Sequence, residues 1–424
     1  HANKYVAAGF IARAYMFWAG FYKNVTDLST GSAPAINLVA QEGCDKSQLS
    51  QADVVAALKD VIANGGYTLC EDYRSLWQYS NSLLYDETMA AKESGEGHRY
   101  EFIEDMDRNN CFDMPGMGNG NTEEMFQIQF MNASKWAIPG GYSTPRMYCN
   151  YLSVFWALRV NGNNGNRDFT YPFTQGWGQG MPSCNIWDDW TAAENQQGAE
   201  YTDLRKRASL IDGISDNKEI NMDFVKDGCE MSGYGCKKYN GVSLDALTGD
   251  SPWWDAAPGY TGSALDNPMQ GDHFEDFYLM RYSDVLLMAS ELTGDASYMN
   301  QVQKRAGVPQ TAYSLKAIQD ERRWEFAFEG LRFNDMRRWT GKDKVTDYAP
   351  KALQAQAGKQ VVNGADVANK YTMQHMTCSW TERYNATNGF LSKPQSQITL
   401  MNGDLEQNPG WDAADATTQY RTLY

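Results

Sequence analysis

Between Glu321 and Trp339 the chain reads Glu-Arg-Arg-Trp-Glu-Phe-Ala-Phe-Glu-Gly-Leu-Arg-Phe-Asn-Asp-Met-Arg-Arg-Trp, with ionisable and large aromatic side chains interleaved throughout. No other stretch restricts the fold as strongly. Trp324, Ala327, Phe328 and Leu331 fall on one face of a helix and belong in a core. Charges one or two positions away then enter the interior with them, and buried charge is tolerated only when it is paired. At i+3 spacing a continuous helix sets Arg322 beside Glu325, Glu329 beside Arg332 and Asp335 beside Arg338. The sequence therefore predicts a helix from about Ser314 to Trp339 whose charged flank is neutralised by partners. An anion site built from the same arginines is the functional alternative.

Other helices surround this one in the reading. Residues 2–23 place Tyr5, Ala8, Gly9, Ala12, Tyr15, Met16 and Ala19 on one face, where the small residues let a neighbouring helix approach. Residues 51–64 carry the stripe Val54, Val55, Leu58, Val61 and Ile62, with Gly65-Gly66 as the stop. Helix, loop and helix with small residues at the crossing is the pattern of a helical-hairpin repeat. Helical spacing returns near His273 through Phe277, Met280, Arg281, Asp284, Leu287 and Met288, followed by a short helix ending at Gly307-Val-Pro309.

The interval from about 67 to 270 is different. It is rich in Gly, Asn, Pro and aromatics, with loop signals at Asn161–Asn166 and Gly176–Gly180 and short periodic runs at Glu124–Phe130 and Tyr148–Val160. We read it as an irregular lobe of long loops and short strands, the kind of segment that carries function. The four expected parts are a helical pair at 1–66, a ligand-binding lobe at 67–270, scaffold helices at 271–340 and an irregular polar segment at 341–424. The chain has 13 Trp, 25 Tyr and 17 Phe. Trp136, Tyr142, Tyr171, Phe173, Trp177, Trp187, Trp190, Trp253, Trp254 and Tyr260 lie among Gly, Pro, Asn and Asp rather than on a periodic face. Half are expected to be local core and half to be exposed platforms for a flat apolar ligand face. Trp136, Tyr142, Tyr171, Trp177, Trp187, Trp190, Trp253 and Trp254 are the candidate ligand contacts.

Charge and motif content narrow the chemistry. With 37 Lys+Arg against 53 Asp+Glu the net charge is −16, which argues against nucleic acid, whose binding rests on cations that neutralise phosphates. No apolar run reaches the roughly 18 residues of a membrane span. Neither a Gly-x-Ser-x-Gly elbow nor a nucleophile near a histidine is visible, and Gly116–Gly120 lacks the Lys-Ser/Thr of a phosphate loop. The four histidines are scattered and no CxxC pair exists, so no catalytic residue, metal site or cofactor is assigned. Acidic clusters at Glu101–Asp107 and Asp188-Asp189 read as solvated surface. The eight cysteines are either buried thiols or, in an oxidising compartment, disulfides; Cys229 and Cys236 flank a turn that such a bridge could close.

Several motifs resemble hallmarks of the SusD/RagB family, in order. They are Arg281-Tyr-Ser-Asp-Val-Leu-Leu-Met288, Asn300-Gln-Val-Gln-Lys-Arg-Ala-Gly-Val-Pro309 and Glu321–Trp339. Tyr201-Thr-Asp-Leu-Arg205, Lys237-Lys-Tyr239 and Gln407-Asn-Pro-Gly-Trp411 are similar to its lesser landmarks. The resemblance spans essentially the whole chain, and its most specific part is Glu321–Trp339. It implies a mostly α fold, with a tetratricopeptide-like scaffold supporting a loop-rich lobe with short strands. It also implies a non-enzymatic, lipid-anchored protein on the outside of the outer membrane. Such a protein passes oligosaccharides, or in some members peptides, to a SusC-type TonB-dependent transporter. Arg322, Glu325, Glu329 and Arg332 then serve the scaffold. Family members begin with a signal peptide, a lipidated Cys and further helices. The expectation is therefore that this chain is the larger, C-terminal part of a longer lipoprotein. A glycoside hydrolase with two facing carboxylates is the alternative from a different class.

Overall fold

A computed structural model of the chain describes residues 2–40, 46–77, 121–128, 155–158, 173, 176–214, 232–240, 277–356, 358–363, 371–375 and 380–411. Helix α1 (Lys4–Phe17) starts where the Asn3 side chain accepts hydrogen bonds from the amides of Tyr5 and Val6 at 2.9 and 3.0 Å. It continues into a π-helical turn, Trp18–Tyr22. Helix α2 (Gln51–Asn64) opens on a capping box between Ser50 and Asp53 and stops before Gly65, as its sequence predicts.

These two helices pack on α5 (Tyr282–Thr293) and α6 (Ala296–Ala306), a helical hairpin turned by Gly294 and capped by Asp295. Positive φ at Gly294 (68°) and Gly307 (78°) ends each helix of that hairpin. One core runs through Val6, Ala12, Tyr15 and Met16, then Val54, Leu58 and Val61, then Val285–Ala289, Met299 and Val302. Between the two helical pairs come α3 (Cys184–Gln197) and α4 (Leu204–Ser209). The described residues form four two-stranded pairings: β1 (Ile36–Asn37) with β2 (Gln48–Leu49), β3 (Glu124–Ile128) with β6 (Phe277–Arg281), β4 (Leu210–Asp212) with β5 (Tyr234–Cys236) and β7 (Lys359–Asn363) with β8 (Tyr371–His375).

Three expectations about elements are corrected. First, Phe277–Arg281 is a strand, β6, antiparallel to β3 (Glu124–Ile128), and the helix starts only at Tyr282. Tyr278 and Met280 are buried in alternation with more exposed Phe277 and Leu279, so the run has period two as well as 3.6.

Second, the charged run is two helices, α7 (Leu315–Glu325) and α8 (Arg332–Thr340), separated by a turn. Phe328 at φ 66° and Gly330 at φ 76° adopt the left-handed conformation that an α-helix interior excludes. The break aims the acids away from their i+3 partners. Arg322 donates to Asp284 at 2.7 Å and Asp335 at 2.9 Å instead of Glu325, and Arg332 meets the Tyr348 hydroxyl instead of Glu329. Only Asp335 and Arg338 keep the expected pairing, at 2.8 Å.

Third, the segment after 341 is not irregular throughout. It contains α9 (Tyr348–Gln356), α10 (Trp380–Thr387), α11 (Gln395–Leu400) and the antiparallel hairpin β7–β8 (Lys359–Asn363, Tyr371–His375).

Close approach is also relocated. The neighbour at Gly9 is the flexible Met280 side chain of β6, 3.2 Å from where a Cβ would stand. The tight crossing lies instead at Gly20, where a Cβ would be 2.5 Å from the Arg338 carbonyl oxygen of α8.

A buried ion cage and a candidate ligand face

The charges of the last helices converge on Arg281. Its guanidinium, 1% exposed, donates to Glu123 at 2.5 Å, to Glu325 at 2.9 Å and to both oxygens of Glu329 at 2.8 Å. Arg305 binds Glu123 and Glu325 at 2.6 and 2.5 Å, and Lys238 binds Glu329 at 2.7 Å with its ammonium 4.1 Å from the Trp77 ring centroid. Arg205 adds contacts to Asp203, Glu321 and Glu325. Burial alone would raise the Glu325 carboxyl, but Arg305, Arg281 and Arg205 outweigh it and hold it well below the usual carboxylate range. A second group joins α1, α5, α7 and α8. There Asp284 takes Arg13 and Arg322, and Glu291 takes Arg338 and the Trp339 indole at 2.8 Å. Glu325, Glu329 and Arg322 are thus interior ties between elements, and Arg332 is a half-buried contact to α9.

The candidate ligand contacts divide. Trp136, Tyr142, Tyr171, Trp253 and Trp254 lie outside the described residues. Trp187 and Trp190 are three positions apart on α3 and so do sit on a periodic face, contrary to the loop reading. Trp190 is fully buried. Its ring stacks on Trp324 at 4.8 Å and its indole N–H donates to Asp203 at 3.0 Å, so it is core and unavailable to a ligand in this conformation. Phe173 is likewise buried, with the Lys237 ammonium 5.6 Å from its centroid.

Trp177 and Trp187 remain at the surface. Trp177 is 36% exposed and meets Phe155 edge-on at 5.6 Å. Its loop is tied to residues 155–158 by backbone hydrogen bonds: Gly176 to Leu158 at 2.7 Å, Gly178 to Ala157 at 2.9 Å and Gln179 to Phe155 at 2.8 Å. Gly178 takes φ 61°, and a side chain at Gly180 would enter the Trp156 ring, so this tryptophan is held on a rigid mount. Trp187 stacks parallel to Tyr234 of β5 (Tyr234–Cys236) at 4.8 Å, and the Lys206 ammonium lies 4.4 Å from its centroid. Lys206 is in turn fixed by Thr191 at 2.6 Å and Glu194 at 2.8 Å. Partial burial, then the charges of Asp188 and Asp212, push the Tyr234 phenol up to about 12, so it stays a neutral hydrogen-bond donor.

The two aromatic stations belong to one connected set of contacts. Gly235, next to Tyr234, abuts Leu158, whose carbonyl anchors Gly176. Tyr234 escaped sequence reading because no aromatic residue stands beside it, and Lys206 because its basic run Arg205-Lys-Arg207 gives no sign of the tryptophan it meets. The turn at 230–235 suggested only a disulfide. That bridge is absent: Cys236 carries a free thiol that burial pushes up to about 12, and Cys229 lies outside the described residues.

Residues 259–411 match the model of the SusD family. SusD-like protein P25 of Formosa agariphila is 38% identical over 91 residues, which is 18% of this chain and 17% of that protein. A crystal structure with xylogluco-oligosaccharide aligns with 94% of this chain and 65% of its own, at TM-score 0.51 and 17% identity. A SusD homolog from Bacteroides thetaiotaomicron gives TM-score 0.49 at 16% identity, over 96% of this chain and 63% of its own. The chain thus spans 17% of the curated relative and somewhat under two thirds of these solved chains. The likeness is one of fold, mostly helical and tetratricopeptide-like.

Proposed function

We propose, from the match of residues 259–411 to the SusD family model, that this chain is a member of that family and captures oligosaccharides at the cell surface without chemically altering them. The observation that carries this reading is Trp177. Backbone hydrogen bonds hold its loop in place while a third of the residue stays open, which suits stacking on the apolar face of a sugar ring. Tyr234, beside Trp187, adds a second ring and a neutral hydroxyl in the same set of contacts. A similar fold crystallised with xylogluco-oligosaccharide supports the same ligand class. Of the acids on α3, Asp189 pairs with Arg323 at 2.7 Å and Glu194 with Lys206 at 2.8 Å. Delivery to a SusC-type TonB-dependent transporter and a lipid anchor in the outer membrane complete the proposal.

Each aromatic platform contributes roughly 0.5 to 1.5 kcal/mol, so a few of them yield affinities near the millimolar range. Titration of the protein with xyloglucan, starch and β-glucan oligosaccharides, followed by tryptophan fluorescence and calorimetry, tests the reading. Trp177→Ala is expected to weaken the best ligand roughly two- to tenfold. Silence of the folded protein across the panel, or release of reducing sugar by the pure protein, would overturn the proposal.

A further inference from the structure

Among the described arginines buried in the core, Arg337 is the exception. Arg205, Arg281, Arg305, Arg322 and Arg338 each meet at least one carboxylate, whereas Arg337, 8% exposed, has only the Asn334 side-chain oxygen at 3.2 Å. Its Nε is buried with no acceptor at all. Its neighbour Arg338 faces the other way and is saturated by Asp335 and Glu291.

Aromatic rings surround the unpaired guanidinium. Its central carbon lies 4.5 Å from the Phe21 centroid, 4.9 Å from Phe17 and 5.6 Å from Phe333. The π-helical turn explains the grouping, because its wider winding sets residues four and five positions on over the same neighbour. Phe21 stacks on Phe17 at 5.3 Å while Tyr22 meets the same ring edge-on at 6.1 Å, and Phe390 closes the group against Phe21 at 5.1 Å. The rim is open: Tyr22 is 43% and Phe333 38% exposed. A guanidinium kept apart from every carboxylate among the described residues is a defined hole in their charge pairing.

We propose that Arg337 and the rings around it form a docking pocket for a protein partner that presents an aspartate or glutamate side chain flanked by apolar residues. The cation lacks the charge that such a carboxylate supplies. Exposed aromatics around a desolvated arginine are also the composition of an interface hot spot, not of a free-anion site in water. This surface is built from α1, the π-helical turn and α8, and does not rest on the glycan reading.

The test uses the whole chain, labelled with nitrogen-15 at arginine, and two capped tripeptides, Leu-Asp-Phe and Leu-Asn-Phe. The Arg337 Nε–H signal, identified by its loss in Arg337→Lys, is expected to shift with the aspartate peptide. That peptide should bind about tenfold better than its asparagine twin, the margin of one charge-assisted hydrogen bond. Arg337→Gln should abolish the difference, and Phe333→Ala, at an exposed rim position, should weaken the aspartate peptide without unfolding the protein. Equal response to both peptides would overturn the pocket. Sodium acetate binding as tightly as the peptide would replace the partner with a free anion and overturn the proposal as stated.

Discussion

At the scale of the residue, Lys238 shows how far burial can move a charge that still has a partner. Its ammonium is fully enclosed between Glu329, the Glu325 carbonyl and the Trp77 ring. Burial pulls its pKa down to about 8, and the attraction of Glu329 offsets only part of that. An unfolded lysine titrates near 10.4. Between about pH 8 and about pH 10 the unfolded lysine therefore binds more protons than the native one, and its contribution makes stability rise with pH. Above that window the sign reverses, because burial holds Tyr73 and Tyr239 protonated in the native state beyond the range in which an unfolded tyrosine ionises. Within the window Cys236 opposes the lysine, because an unfolded thiol ionises from about pH 8.5 while burial pushes the native one up to about 12. Urea midpoints across the window should therefore change little in the wild type and fall in Lys238→Met. A wild-type curve that falls steadily from pH 8 would show that the native lysine keeps its proton.

At the scale of the element, two glycines separate what a helix needs from what its crossing needs. An added methyl at Gly9 meets only the movable end of Met280, and alanine is the better helix former by about 1 kcal/mol. At Gly20 the same methyl meets the Arg338 backbone, which cannot give way unless the π-helical turn separates from α8. Gly9→Ala is expected to be neutral or stabilising, and Gly20→Ala to cost roughly 1 to 3 kcal/mol, as read from denaturant midpoints. The same contrast explains which elements were legible in sequence. The limits of α2 follow from Ser50 and Gly65, local signals with a local mechanism. The break between α7 and α8 turns on Phe328 in a left-handed conformation, which an aromatic residue does not announce. That conformation comes with tertiary packing against Trp156 and the buried clusters around Tyr239 and Trp190. Trp190 was misplaced because the polar residues around it concealed a helix whose buried face carries few other apolar side chains.

At the scale of the whole molecule, two charge systems coexist. One is interior and paired, around Arg281; the other is the net −16 of the whole sequence. Salt screens the second far more than the first. Raising sodium chloride from about 0.05 to about 0.5 M should therefore leave the melting temperature unchanged or raise it by relieving net repulsion. A marked fall would mean that water reaches the cage. The sequence showed that the charges of 321–339 had to be neutralised, but not by what. The answer required residues brought from 123, 205, 238, 281 and 305, a long-range matter on which i+3 spacing is silent.

That assembly has a consequence in time. Arg281 and Arg305 lie 158 and 182 residues from Glu123, and the last acid of the set, Glu329, comes later still in the chain. Bringing such distant positions together is slow, and each charge that arrives before its counterpart must stay hydrated. The cage can close only after residue 329 has been synthesised. A growing chain should thus keep its central layers open to water until Glu329 has been added, and then complete them in one cooperative step.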